Sequence, residues 1–172
     1  MKDLAPIFRH LQTSRAKFLS VAEEVSELHW RESPAPDRWS AAQVIAHVGM
    51  VEERTIFGMK RLLRAAPSPL PLRKRFHLPL ALSAWRGRKV RTPIPLDPER
   101  VRDKQESFAG LIGAREATVA FIESTRGTDV SIYRFEHPFL GSLDMYEWFR
   151  MIGYHELRHA KQIRELVETF HD

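Results

Sequence analysis

His155-Glu156-Leu157-Arg158-His159 lies inside a longer stripe formed by Trp148, Ile152, His155, His159, Ile163, Leu166 and Phe170. These positions recur at the spacing of an α-helix, about 3.6 residues per turn, so they share one face. The stripe reads as the apolar seam of a long helix packed against other helices. Two imidazoles one turn apart on such a seam need polar partners, because a buried polar group left alone is costly. A shared cation is a natural partner, and hydrogen bonding within the core is the plainer alternative. If a cation is held, its third ligand has to come from elsewhere in the chain.

Working outward, three more helical segments support a bundle. The first runs from about Leu4 to about Leu28, with Leu4, Ile7, Phe8, Leu11, Phe18, Ala22 and Val25 along one side. The second starts sharply at Ser40-Ala41-Ala42-Gln43, a capping box, with Trp39 and Val44 placed as a hydrophobic staple. Val44, His47, Val48, Val51 and Leu62 then face inward. A third is expected to open at Asp97-Pro98, with Val101, Phe108, Leu111, Ile112, Val119 and Ile122 as its stripe and Gly127 as its stop. The fourth opens at Asp144 with Glu147 three residues on, and Leu143 and Trp148 as a second staple. Val130–Phe135 alternates loosely and reads as a short extended piece.

Between the second and third helices, residues 66–96 hold six of the 11 prolines, too many for a continuous helix, although Phe76–Trp85 has room for a turn or two. A connection of this length suits a crossover between parallel helices rather than a tight antiparallel turn. The expected fold is therefore all-α: one domain over 1–172, a four-helix bundle with a long crossover between helices 2 and 3. That crossover is basic. Arg73, Lys74, Arg75, Arg86, Arg88, Lys89 and Arg91 face no acidic residue within it, so it carries +7 of a net +5, leaving −2 on the rest.

Composition sets outer bounds. The chain of 172 residues is 43% hydrophobic and 28% charged, with no cysteine. That excludes a disulfide framework, thiolate metal ligands and a cysteine nucleophile. No apolar run nears the roughly 20 residues of a membrane span, and no signal-peptide pattern opens the chain. A cytoplasmic location and no membrane partner are expected.

His155-Glu156-Leu157-Arg158-His159 matches the H-E-x-x-H of zinc proteases. The longer signature asks for Gly and His where this chain has Gln162 and Glu165, and only 13 residues follow His159, too few for a distant downstream glutamate. A third ligand should then come from upstream. His10, His29, His77 and His171 have no clear place on an apolar seam, whereas His47 sits between Val44, Val48 and Val51. His47, His155 and His159 would give three neutral nitrogen donors at about 2.0–2.1 Å, with a position left open.

Three segments carry a resemblance. They are Trp39-Ser40-Ala41-Ala42-Gln43-Val44-Ile45-Ala46-His47, His137-Pro138-Phe139-Leu140-Gly141, and His155-Glu156-Leu157-Arg158-His159-Ala160-Lys161-Gln162-Ile163. In this order they resemble the DinB/YfiT-like family of metalloenzymes, over essentially the whole chain. The resemblance implies a four-helix bundle, often up-down-down-up, with His47, His155 and His159 as metal ligands. The basic crossover is longer than the family pattern. Also implied is either thiol S-transferase-type chemistry, using a low-molecular-weight thiol, or hydrolysis.

Several readings stay open at this level. Glu156 is a candidate catalytic residue, orienting water or acting as general base, and equally an exposed or rim-paired glutamate. His137 either lines the site mouth or holds its loop. Arg115 interrupts the third seam, as an internal ion pair or as an anion anchor. The leading expectation is a metal-dependent enzyme acting on a small-molecule electrophile with a borrowed thiol. A metal-dependent hydrolase is the alternative within that class. A non-catalytic, dimeric, metal-binding stress-response protein is the alternative outside it. Zinc is the first expected divalent ion, with nickel, iron or manganese also suited to three imidazoles. A homodimer is expected. Nucleic acid is disfavoured as a partner, since the basic segment offers Phe76 and Trp85 but no recognised binding motif.

Overall fold

The structure, a computed structural model, describes residues 2–67, 79–85, 95–97 and 100–170. Four helices dominate: α1 (Ala5–Glu23), α2 (Ala41–Leu62), α3 (Lys104–Ser124) and α4 (Met145–Phe170). A hairpin of β1 (Arg134–His137) and β2 (Gly141–Asp144) leads into α4.

The helix starts follow local chemistry. Ser40 accepts from the Gln43 amide while the Gln43 side chain accepts from the Ser40 amide, a complete capping box for α2. Asp144 and Glu147 repeat it for α4, at 2.8 and 2.7 Å. Helix α1 is shorter than its apolar spacing suggests, ending at Glu23 before a run of turns.

Helix α3 differs more. It begins not at Asp97-Pro98 but after Asp103, whose carboxylate accepts from the Glu106 amide. Neighbouring contacts fix the later start. Lys104 Nζ donates to the carbonyls of Glu23 and Val25 at the end of α1, and Trp30 Nε1 donates to the carbonyl of Arg102. Its stripe is also rotated. Ile112 and Val119 are 49% and 36% exposed, whereas Ser107, Leu111, Arg115, Thr118 and Ile122 are buried. The middle of the bundle is polar, and α3 turns a mixed face toward it. Gly127, at φ +92°, does lie just past the helix end.

Paired positions give the helix directions. Along α1, Ser14 meets Glu156 and Glu24 meets Arg164, so α1 and α4 run the same way. Val48 and Thr55 share a cavity with His155 and Trp148, and Arg38, ahead of α2, reaches Glu165, so α2 runs opposite to α4. Arg115 reaches Glu52 and the Leu11 carbonyl, and Lys60 lies over Phe121, which sets α3 beside α2 in the same sense and against α1. The bundle is up-down-down-up, and the connection from α2 to α3 crosses its length. Of that crossover only 66–67, 79–85 and 95–96 are described, including a 3-10 turn at Leu80–Ala84. Its basic residues, together with His77 and Pro98, lie outside the described residues.

Two apolar clusters fill the bundle ends. One joins Leu11, Met59, Ile122, Leu143 and Phe149, and the other joins Phe18, Trp30, Ile45, Ile163 and Leu166. A polar layer separates them, and the functional side chains lie there. No described helix is long and apolar enough to cross a membrane.

Candidate metal centre

Helices α2 and α4 present three histidines to one another across the polar layer. His155 and His159, one turn apart on α4, bring their Nε2 atoms to 3.1 Å. The ring of His47 on α2 lies 5.1 Å from that of His155 and 5.0 Å from that of His159. One ring nitrogen from each lies within 4.8 Å of the other two. Among the described residues this is the group of His, Cys, Asp or Glu side chains able to hold a metal ion.

Four features fit that use. Two nitrogens bound to one ion at about 2.0–2.1 Å stand roughly 3.1–3.4 Å apart, so His155 and His159 already have ligand spacing. Among the described residues, buried His47 Nδ1 has no hydrogen-bond partner, which suits a nitrogen that serves as a ligand. His159 Nδ1 lies 2.8 Å from Gln162 Oε1. An amide oxygen only accepts, so that contact places the proton on Nδ1 and leaves the Nε2 lone pair facing His155. Last, the rings of His47 and His155 favour the neutral form a metal ligand requires. Burial lowers the His47 pKa to about 4, and burial with the neighbouring imidazoles holds His155 well below its ordinary value.

Trp39, expected as a staple residue, also covers the centre, with its ring 5.0 Å from that of His47. Below the histidines, a partly open cavity of about 350 Å³, its mouth included, runs between α2 and α4 with His155 at its upper end. Val48, Val51, Trp148, Met151 and Ile152 supply apolar wall, Glu52, Thr55 and Glu156 also line it, and His137 stands on the hairpin side.

Glu156 is neither exposed nor at the rim. It is 0% exposed and belongs to a buried network of two arginines and two glutamates. Arg15 binds both Glu52 and Glu156, Arg115 binds both from the other side, and Ser14 Oγ donates to Glu156 at 2.7 Å. The same arginines donate to the carbonyls of Leu111 and Leu11. Arg115 is thus an internal ion pair rather than an anion anchor. Arg15 and Glu52 escaped the sequence reading, although each is a charged residue on an apolar helix face, between Leu11 and Phe18 and between Val48 and Thr55. That interruption was the available signal.

His10 packs against α4, where Gly153 leaves room for its ring and the Arg150 carbonyl lies 3.2 Å from Nε2. His29 stacks on Phe170 and contacts Glu32, away from the centre. His171 lies outside the described residues.

The fold and centre define a class, a four-helix bundle with three inward imidazoles contributed by its second and fourth helices. The chain belongs to the DinB superfamily, whose sequence profile matches residues 10–163. It is 24% identical over 145 residues to the uncharacterized protein YuaE of Bacillus subtilis (strain 168), covering 84% of this chain and 86% of that one. Its fold is similar to the crystal structure of TT2238, a four-helix bundle protein, with a TM-score of 0.63 and 21% identity over 95% of this chain and 99% of that one.

Proposed function

We propose that the protein is a metal-dependent enzyme in which His47, His155 and His159 hold a divalent ion, zinc first among the candidates. Its reaction is the transfer of a low-molecular-weight thiol to a small electrophile. The observation that carries this is the cluster itself: three imidazoles with one ring nitrogen of each within 4.8 Å of the others, and a cavity opening beside His155. Structural zinc sites are normally closed by four protein ligands. Among the described residues the cluster offers three.

A bound divalent ion supplies Lewis acidity, favouring the deprotonated form of a thiol or water at its open position. The chain's own residues supply the rest. Gln162 orients His159, the apolar walls from Val48 to Ile152 exclude bulk water, and the Arg15–Glu52–Arg115–Glu156 network fixes α4 against the other helices. Glu156 then acts as a positioning residue, since its carboxylate is engaged by two guanidiniums and a hydroxyl. With no cysteine in the sequence, the thiol has to be a cosubstrate.

A panel of small thiols and electrophiles, run on protein purified without chelator, tests the reading. His159→Ala should lose both stoichiometric metal and turnover. Full turnover by metal-free protein would sink the proposal, and ester or amide cleavage without added thiol would favour a hydrolase.

A further inference from the structure

The hairpin entering α4 carries a second histidine environment, distinct in construction from the metal centre. Both the Phe139 and Leu140 amides of the β1–β2 turn donate to His137 Nδ1, at 3.1 and 3.2 Å. A ring nitrogen that accepts two N–H groups carries no proton, so in the neutral imidazole the proton sits on Nε2. Burial favours that neutral form. The ring is held on its faces as well, tilted against Trp148 at 5.2 Å and edge-on to Phe139 at 5.9 Å. Trp148 is itself fixed, stacked on Phe135 at 4.1 Å with its Nε1 donating to the Phe135 carbonyl. Among the described residues, Nε2 of His137 makes no hydrogen bond, and the side chain lines the same cavity as His155.

The hairpin thus spends one nitrogen on its own turn and leaves the Nε2–H on a side chain that lines the cavity with Val51, Trp148, Met151 and Ile152. Of the cavity's other polar lining, Glu52 and Glu156 are held by Arg15 and Arg115, His155 belongs to the histidine cluster, and the Thr55 hydroxyl stands on α2. We propose that His137 is a substrate-positioning residue, whose Nε2–H donates to an acceptor oxygen of a small molecule with a compact apolar body seated between Val51, Trp148, Met151 and Ile152. The apolar walls receive the body, and the fixed donor sets which end of the molecule faces His155. The proposal rests on the cavity being the substrate site of the proposed enzyme. It does not require the thiol chemistry.

The two ring nitrogens are separable by substitution. In His137→Asn the side-chain oxygen takes the place of Nδ1 and keeps the turn, while the Nε2–H is lost; His137→Ala loses both. The measurement is affinity of zinc-loaded protein for isobutyramide and isobutyrate, followed by the His137 ring signals in long-range 1H–15N spectra. Wild-type protein should show a protonated Nε2 and a bare Nδ1, with the Nε2–H resonance moving as either probe is added. His137→Asn should keep its melting temperature and metal content yet bind the probes roughly tenfold more weakly, the scale of one lost hydrogen bond. In turnover the same variant should raise KM with little change in kcat. Unchanged probe affinity in His137→Asn, a proton on Nδ1, or no binding of either probe by wild-type protein would each overturn the proposal. Failure of the metal reading looks different: metal-free wild-type protein that still binds the probes through His137 removes the ion and leaves this site standing.

Discussion

At the scale of single residues, the clustering of His47, His155 and His159 was legible because two short-range facts coincide. A four-residue spacing on a helix puts two imidazoles on one face, and a capping box seven residues ahead fixes where His47 points. Other residues were not legible, because their meaning depends on what lies across the bundle. Gly153 is one: a Cβ there would meet His10 Nε2 at 2.5 Å and Ser14 Oγ at 3.0 Å. Gly153→Ala should therefore cost about 1–3 kcal/mol by overpacking, read as a lowered denaturant midpoint, and His10→Ala in the same chain should recover part of it. The buried imidazoles also set a pH dependence. His47 titrates near 4 in the folded chain against an ordinary 6.5, so as pH falls the unfolded chain takes up the proton first. In metal-free protein this contribution is fully present above 6.5, is lost between 6.5 and about 4, and is flat below. His155 acts in the same direction. Urea midpoints should fall from about pH 7 to about pH 5, and His47→Gln should flatten that slope. A midpoint that rises on acidification would contradict the assignment.

At the scale of elements, starts were easier to read than faces. Capping boxes at Ser40 and Asp144 lie within four residues of chain, and both form as their sequences suggest. Ser40→Ala should cost about 1 kcal/mol in thermal or chemical unfolding. The start of α3 was misread because Asp97 and Asp103 both suit a cap; the choice falls to Asp103 through Lys104 and Trp30, which are contacts across the fold. Its face was misread for a related reason. Helical periodicity assumes an apolar interior, but α3 packs Arg115 and Thr118 inward onto a polar layer and leaves Ile112 outside. The network that makes this layer polar binds all four helices. Removing one arginine leaves two buried carboxylates sharing a single guanidinium. Arg115→Met should then lose roughly 3–5 kcal/mol of stability. If that loss is under about 1 kcal/mol, the network is not the clamp described here.

At the scale of the whole molecule, the long proline-rich connection between α2 and α3 pointed to parallel neighbours, and the paired residues along the helices show that arrangement. Parallel α2 and α3 place α2 antiparallel to α4. Their facing sides then bring the seventh residue of α2, His47, level with the middle of α4, where His155 and His159 lie. The hairpin, unread in the sequence beyond a loose alternation, closes the cavity's other side with His137 because Gly141, at φ +70°, lets the chain reverse over three residues. The bundle therefore joins two apolar clusters across a charged, internally neutralised layer, and a cavity reaches that layer beside His155. The most direct test of this account is elemental analysis of the protein purified without chelator, alongside His47→Ala and His159→Ala variants shown to be folded. The account predicts about one divalent ion per wild-type chain and almost none in either variant. A wild-type chain free of metal, or a folded variant that keeps a full complement, would contradict it.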